Sequence, residues 1–389
     1  MARLILLVID GLGCGAQEDS VSYGDADANT LKHVVDLGKA HLPNFQSLGL
    51  ANIIPLDYLS PISEPSAAYG KIRERSAGKD STTGHWEFAG IVLKKPFPTY
   101  EMGFPVEVLE ILNITTGVPE FLCNKPYSGS QVILDYGDEH LSTGLPILYT
   151  SADSVLQIAA HVDIIPLEQL YEWCHAIREE LKTGNHAVGR IIARPFSGKS
   201  GEYARISEKR KDFSLKPPKP NMLSLLREQG VKVHTIGKVS DLFDGEDIDQ
   251  VQKTENNADG LQQILHWLRS TKPSDRVLQF VNLIDTDQLY GHRNDIQGYA
   301  RSLEEIDRAL PELFSSMHQD DVMIITGDHG NDPSTPGTDH TREFVPLLVW
   351  PPHRAKNIDL GTLDGFSCVA ESVKAFFALE HQKLNSFLH

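Results

Sequence analysis

The sequence contains few cysteines, and no two of them form a CxxC pair. The four cysteines of the 389-residue chain lie far apart, at Cys14, Cys123, Cys174 and Cys368. This spacing does not favour a disulfide framework. We therefore interpret the cysteines as free thiols and expect a protein of the reducing cytoplasm.

Long hydrophobic runs are also missing. No apolar stretch reaches the roughly 18 residues that a transmembrane helix needs. The apolar stretch at 4–9 ends in Asp10, and no small-residue cleavage site follows it. This pattern favours a buried first strand over a signal peptide, so we expect no membrane association.

Positive charge is scarce. The chain has 36 Lys and Arg residues against 53 Asp and Glu residues, which gives a formal net charge of −17. Such a chain is a poor candidate for binding nucleic acid or an anionic membrane, because both repel it. A small phosphate substrate remains compatible, since a local group of cations can outweigh the global field. Clustered carboxylates can also bind metal ions.

Short apolar runs alternate with amphipathic segments. The runs predict buried strands at 4–9, 231–236, 277–284, 322–326 and 346–350. Between them, 258–269 and 298–317 have apolar residues at helical spacing. Buried strands that alternate with helices predict an α/β fold with a doubly wound, largely parallel sheet.

Proline clusters divide the chain into two domains. Pro96 and Pro98 stand at one boundary, and Pro217, Pro218 and Pro220 stand at the other. A chain of this length exceeds what one hydrophobic core usually serves. We therefore expect a core domain made of residues 1–96 and 218–389. Residues 97–217 are expected to form a smaller inserted α/β domain.

Metal-ligand residues follow three of the predicted strands. Asp10 ends the first, Asp285-Thr-Asp-Gln-Leu-Tyr-Gly-His292 follows the third, and Asp328-His329 follows the fourth, before a loop with Asp339-His340. A lone Asp at a strand end is usually a turn former or helix cap. The agreement of three strand ends and a loop instead favours a metal site. Carboxylates mixed with imidazoles suit Mn²⁺ or Zn²⁺ better than Ca²⁺, and the ligands suffice for two ions, as in phosphoryl transfer.

The segment 11–16 matches the dinucleotide-binding pattern GxGxxA after a strand. The match is weak, because Asp10 would repel a pyrophosphate and no acidic strand end lies about 20 residues further on.

A run of hydroxyls offers a nucleophile. Ser81, Thr82 and Thr83 precede Gly84 at the expected start of a helix. Helix N-terminal N–H groups can bind a phosphate, and a nearby cation makes an alkoxide accessible. The same residues could simply cap the helix. The local sequence supports the two interpretations equally.

Several longer motifs carry a resemblance to a known family. They are Ser76-Ala77-Gly78-Lys79-Asp80, Gly84-His85-Trp86-Glu87, Tyr149-Thr150-Ser151-Ala152-Asp153-Ser154, Asp328-His329-Gly330-Asn331-Asp332-Pro333 and Gly337-Thr338-Asp339-His340-Thr341-Arg342-Glu343. In these motifs the chain resembles the phosphopentomutases of the alkaline phosphatase superfamily. The resemblance extends from Asp10 to about Trp350.

The resemblance implies an alkaline-phosphatase-like core with an inserted cap domain and two Mn²⁺ ions, with other divalent ions also compatible. It implies Asp10, Asp328 and His329 as ligands of one ion, and Asp287, His292 and His340 as ligands of the other. Asp285 also precedes the second group of ligands, but the family pattern assigns the carboxylate five residues before His292. Asp332 and Asp339 are then interpreted as supporting groups.

The resemblance also implies a nucleophile. The family carries Thr three residues before the Gly of Gly-His-Trp-Glu, whereas this chain has Ser81 there. A serine is chemically competent for the same role, so the prediction is Ser81, with Thr82 as the alternative. A smaller departure is Val162, where the family usually has Glu.

The substrate implied is ribose or deoxyribose phosphate, interconverted between its 1- and 5-phosphates through a 1,5-bisphosphate. The resemblance implies that Arg190, Arg205 and Lys238 bind the distal phosphate and that Asp153 binds the sugar hydroxyls. Arg194 has weaker support for such a role, and a lone Arg is more often part of a surface ion pair. The alternatives are a metal-dependent phosphomonoesterase on the same core and a non-catalytic metal-binding protein.

Overall fold

The computed structural model describes residues 3–151, 154–272, 275–379 and 386–388. The chain forms two compact units, Met1–Pro96 with Pro217–His389, and Phe97–Lys216. No helix in the described part of the chain is both long enough and apolar enough to cross a membrane. Each of the four cysteines is a free thiol, and Cys123 alone is not fully buried.

The strands and helices are numbered in chain order. The strands are β1 (Arg3–Ile9), β2 (Ala68–Arg73), β3 (Leu122–Pro126), β4 (Ile147–Thr150), β5 (Val155–His161), β6 (Arg190–Ser197), β7 (Ala204–Arg205), β8 (Lys211–Ser214), β9 (Lys232–Ile236), β10 (Gln250–Gln252), β11 (Val277–Leu283), β12 (Val322–Thr326), β13 (Val345–Trp350) and β14 (Asp359–Asp364). The α-helices are α1 (Thr30–Gly38), α2 (Pro43–Leu48), α3 (Leu50–Ile53), α4 (Ser81–Phe88), α5 (Val106–Thr116), α6 (Gln131–Thr143), α7 (Leu167–Glu180), α8 (Met222–Glu228), α9 (Val239–Leu242), α10 (Asn257–Ser270), α11 (Ile296–Ser315) and α12 (Ser367–Phe376).

The first unit contains an eight-stranded mixed sheet with the strand order β10-β9-β11-β1-β12-β13-β2-β14. The five strands from β10 to β12 in this order are parallel, so the carboxyl ends of β9, β11, β1 and β12 lie side by side. The register places Val8 opposite both Asn282 and Thr326. The predicted α/β fold with a largely parallel sheet is confirmed.

The sheet of the first unit is covered by helices on both faces. The apolar run of β1 is fully buried. Ile5, Leu7 and Ile9 belong to the hydrophobic cluster that includes the apolar faces of α1, α10 and α11. On the other face, His85 of α4 stacks on Phe280 of β11 at 5.5 Å between ring centroids. Burial of each large apolar side chain contributes about 1.5–3 kcal/mol, so the central strands are held as a rigid platform.

The second unit contains a six-stranded sheet with the order β3-β4-β5-β6-β7, and β8 pairs with β6. Leu156, Ile158 and Ala160 of β5 pack with α5 and α7 on one face. Ala159, on the opposite face, belongs to the cluster that α6 covers. The unit therefore has its own hydrophobic core, as an independent domain requires.

Candidate active site

The carboxyl ends of four neighbouring parallel strands bring polar side chains together. Asp10 follows β1, Asp287 follows β11, Asp328 follows β12 and Lys238 follows β9. The three aspartates are almost completely buried. A buried carboxylate is costly unless cations or hydrogen-bond donors compensate it, so this edge of the sheet is built to hold positive charge.

Asp10, Asp328 and His329 form a first group, here called cluster A. One ligand atom of each residue lies within 4.8 Å of those of the other two. His329 Nε2 is 3.4 Å from Asp10 Oδ1 and 3.4 Å from Asp328 Oδ2. Asp328 Oδ2 is buried and lies 3.2 Å from His85 Nδ1, but neither this ring nor His329 is aligned for a hydrogen bond to it. Two carboxylates and an imidazole with a spare buried oxygen fit a divalent cation.

Asp287, His292 and His340 form a second group, here called cluster B. His340 Nε2 is 3.3 Å from Asp287 Oδ1, and His292 Nε2 is 3.3 Å from Asp287 Oδ2. Asp287 and His340 also lie within 4.8 Å of His329, counted between ligand atoms, so the two clusters adjoin each other. His292 Nδ1 contacts the carbonyl of Thr338 at 2.6 Å, which directs Nε2 towards Asp287. The six residues predicted as metal ligands are thus brought together.

The charges of the two clusters shift the pKa values of their members. Burial alone would raise the pKa of Asp328, but His329 and His85 lower it to about 2. Burial alone would lower the pKa of His292, but the hydrogen bond to Asp287 and the charge of that carboxylate raise it to about 8. Burial alone would also lower the pKa of His329, but the charge of Asp328 and the hydrogen bond to Asp10 outweigh burial and raise this pKa well above its usual value. The lowered pKa values of Asp287 and Asp328 keep these carboxylates ionised, so that positive charge on the neighbouring imidazoles offsets them.

Adding Mn²⁺ to the metal-free protein at about pH 7 is expected to release protons, because imidazole must lose its proton to bind a metal. The raised pKa of His292, about 8, keeps this ring largely protonated there, and the pKa of His329 is raised as well. Metal affinity should therefore fall as the pH is lowered, and proton release should shrink above pH 8. Calorimetric titration in two buffers of different ionisation enthalpy measures the release. A heat that does not depend on the buffer would contradict the expectation.

Ser81 lies beside cluster A, at the first position of α4. Its Oγ is 3.1 Å from His329 Nε2 and 3.5 Å from Asp10 Oδ1. Asp80 caps the helix by accepting from the N–H of Thr83, and the hydroxyl of Thr83 donates to the same carboxylate. Of the three consecutive hydroxyls, Ser81 therefore faces the metal-ligand groups, while Thr83 serves the helix cap.

Hydrogen bonds and an ion pair connect the segment before Ser81 with the loop that carries His340 of cluster B. The buried guanidinium of Arg342 donates to Glu74 Oε2 at 2.7 Å and to the carbonyls of Ser76 and Gly78. Lys79 Nζ contacts Asp339 Oδ2 at 3.3 Å. These contacts hold the segment before Ser81 in register with the loop that carries His340. The sequence motifs contain both residues but give no sign of this role.

The other carboxylates near the two clusters accept hydrogen bonds from neighbouring residues. Asp285 Oδ2 accepts from the N–H of Asn257. Asp332 Oδ2 accepts from the N–H of Asn29 and contacts His33 Nδ1 at 2.6 Å. Neither carboxylate belongs to a metal-ligand group among the described residues.

The second unit contains a polar cavity of about 400 Å³. Arg190, Arg194, Arg205 and Arg210 line it together with Ser151 and Gln157. Arg190 and Arg210 both approach Asp212, at 3.7 and 2.6 Å, and Arg194 Nε donates to Gln157 Oε1. An excess of guanidinium groups over carboxylates makes this cavity suitable for a phosphate.

The predicted substrate residues are distributed over both units. Arg190 and Arg205 line the cavity of the second unit. Lys238 belongs to the first unit, where its Nζ lies 3.0 Å from Asp10 Oδ2 and 3.9 Å from Asp287 Oδ2. Asp153 lies outside the described residues.

Comparison with known proteins identifies the family. The model of the metalloenzyme superfamily matches residues 2–381. The phosphopentomutase of Caldanaerobacter subterraneus subsp. tengcongensis is 48% identical over 97% of this chain and 94% of its own length. That of Acetivibrio thermocellus is 47% identical over 97% of this chain and 96% of its own length.

Among solved structures, the PH0037 protein of Pyrococcus horikoshii matches with a TM-score of 0.50 at 15% identity, over 98% of each chain. This match shows a shared fold. The high identity over nearly the whole length, together with buried Asp and His clusters suited to divalent metal, places the chain in a defined group: it belongs to the phosphopentomutase family of the metalloenzyme superfamily.

Proposed function

We propose that this protein interconverts the 1- and 5-phosphates of ribose or deoxyribose by carrying a phosphate on Ser81. The observation that carries the proposal is the position of Ser81 Oγ, 3.1 Å from His329 Nε2 at the start of a helix and beside two clusters of metal-ligand residues. The family of the chain supports a sugar phosphate as substrate.

Two Mn²⁺ ions are proposed as cofactors, with cluster A holding one and cluster B the other. When bound, such ions would offset negative charge on the phosphoryl group and on the oxygens that attack and leave it. The residues of the chain that supply this environment are already held in place by buried hydrogen bonds. The first unit thus serves as the metal-binding catalytic core, and the second unit is proposed as the inserted cap domain.

The proposed reaction is a pair of phosphoryl transfers. In the first, the free hydroxyl oxygen of the sugar monophosphate bonds to phosphorus while the bond from phosphorus to Ser81 Oγ breaks. The hydroxyl proton leaves, Ser81 regains a proton, and a 1,5-bisphosphate forms. In the second, Ser81 Oγ attacks the other phosphate and releases the isomeric monophosphate. The N–H groups at the start of α4 stabilise the negative phosphate on Ser81.

Arg190, Arg205 and Lys238 are proposed to bind the distal phosphate, which is the one not being transferred in a given step. Asp153 is proposed to bind the sugar hydroxyls. Guanidinium groups match the geometry of phosphate oxygens. The cavity lined by both arginines supports this assignment.

Replacing Arg205 by alanine is expected to raise KM about 10–100-fold, because a charge-assisted hydrogen bond contributes about 1.5–3 kcal/mol. The guanidinium acts on binding, so kcat should change less. Steady-state kinetics on ribose 1-phosphate measure both constants. Lys199→Ala is the matched control, since Lys199 belongs to the same unit and its side chain is 79% exposed. An unchanged KM in Arg205→Ala would remove this residue from the site.

A metal-dependent phosphomonoesterase on the same core is the rival function. The two differ in whether a sugar hydroxyl or water accepts the phosphate from Ser81. A coupled assay of ribose 1-phosphate with Mn²⁺, in which ribose 5-phosphate and free phosphate are both recorded, distinguishes them. Isomerisation with little free phosphate is expected. Phosphate release without isomerisation would replace the proposal with the phosphomonoesterase.

A further inference from the structure

We propose that Asn331 is a positioning residue that fixes the carboxylate of Asp287 for metal binding in cluster B. The proposal rests on the proposed function, because it assumes that cluster B holds an ion. Asn331 Nδ2 donates to Asp287 Oδ1 at 2.7 Å, and Asn331 is 1% exposed. The contact is therefore a buried, charge-assisted hydrogen bond.

The hydrogen bond acts on a soft degree of freedom. The terminal torsion of an aspartate side chain has a broad energy profile, so a carboxylate rotates unless its neighbours hold it. In cluster B the two oxygens of Asp287 face different histidines, Oδ1 towards His340 and Oδ2 towards His292. The hydrogen bond from Asn331 Nδ2 to Oδ1 holds the carboxylate in this orientation, so that Oδ1 and Oδ2 do not exchange positions.

The fold leaves room for Asn331 at this position. A Cβ atom on Gly291 would lie 2.6 Å from Asn331 Nδ2, and one on Gly11 would lie 3.1 Å from Asn331 Cβ. Gly291 has a helical φ of −57°, so its backbone conformation does not require glycine. Glycine is needed at position 291 because a side chain there would collide with the Asn331 amide.

The backbone of Asn331 is anchored from the opposite side. Its N–H donates to Thr30 Oγ1 at 3.1 Å, and this hydroxyl donates to Glu343 Oε1 at 2.6 Å. Glu343 is buried and also accepts from Thr341 Oγ1 and from the N–H of Gly15. A continuous chain of hydrogen bonds therefore runs from Glu343 to the metal-ligand carboxylate, with the Asn331 amide as its last link.

The test measures Mn²⁺ binding to the full-length protein, by titration against a fluorescent chelator, for Asn331→Ala and Asn331→Leu. Alanine removes the amide, and leucine fills a similar volume without a donor. His340→Ala identifies the binding step that belongs to cluster B, and Asp328→Ala identifies the step of cluster A. Thr335→Ala is the matched control, because its hydroxyl donates to the carbonyl of Asp332 in the same loop.

Both Asn331 variants are expected to weaken the cluster B step about 10–100-fold and to leave the cluster A step within about threefold of the native value. An unchanged cluster B step in both variants would overturn the proposal. Equal weakening of both steps would also overturn it, because Asn331 would then support the fold as a whole. A native protein with one binding step or none would instead contradict the two-ion proposal itself.

Discussion

Replacing Ser81 by alanine is expected to lower mutase turnover by at least about a thousandfold, because the group that accepts the phosphate is lost. The metal-ligand clusters contact Ser81 only through its hydroxyl, at 3.1 and 3.5 Å, so metal binding should be retained. Ser81→Thr keeps a hydroxyl at this position, and turnover should stay within about tenfold. The coupled assay measures all three proteins.

Thr82→Ala is the matched control for Ser81→Ala, since it removes a neighbouring hydroxyl from the same turn of α4. Near-native turnover is expected. A Ser81→Ala variant that keeps its turnover, paired with an inactive Thr82→Ala variant, would move the nucleophile to Thr82. Retention of turnover in both variants would exclude Ser81 and Thr82 as the nucleophile.

Removal of divalent metal by a chelator is expected to abolish turnover and to lower thermal stability. Asp10, Asp287 and Asp328 are buried at one edge of the sheet, and their mutual repulsion destabilises the folded state unless cations offset it. A ligand at 100-fold its Kd stabilises the folded state by about 2.7 kcal/mol. Mn²⁺ should therefore raise the melting temperature by several degrees, as calorimetry can measure, and restore turnover.

The control for this experiment is a variant that cannot bind a metal ion in cluster A. Asp328→Asn removes one anionic ligand and deprives His85 and His329 of the carboxylate that lies 3.2 and 3.4 Å from them, so its metal-free form should melt at a lower temperature than the metal-free native protein. Its response to added Mn²⁺ should be smaller. Full turnover of the native protein after exhaustive chelation, checked by elemental analysis, would show that metal has no part in the reaction.

Much of the fold could be predicted from the sequence, because the central strands are buried on both faces. The runs at 4–9, 277–284 and 322–326 correspond to β1, β11 and β12, with boundary shifts of at most one residue. Strands β2 and β14 were not predicted. Burial alternates along β2 and is sparse along β14, the edge strand, so neither forms a continuous apolar run.

The second unit was predicted with fewer details for a similar reason. Its strands β3, β7 and β8 are short and partly exposed, and the pairing of β8 with β6 is non-local. A propensity pattern does not specify such pairings, since tertiary packing decides them.

The metal-ligand candidates could be predicted because each one follows a recognisable strand or a specific motif. Their neighbours could not. Asn331 contacts Asp287 from 44 positions away, and Glu343 contacts Thr30 from 313 positions away. Hydrogen bonds of this kind depend on how strands and loops meet in space, and a single sequence carries no signal for them. The local sequence did not distinguish a nucleophile from a helix cap at Ser81. The prediction of Ser81 as the nucleophile came from the resemblance to the family.

Identification of the phosphorylated residue tests the central claim most directly. The full-length protein would be incubated with ribose 1,5-bisphosphate and Mn²⁺, quenched, digested and mapped by tandem mass spectrometry. The account predicts a phosphate on Ser81, which disappears when ribose 5-phosphate is added before the quench. A phosphate on Thr82 or Thr83, or no phosphopeptide in protein that turns over substrate, would contradict it.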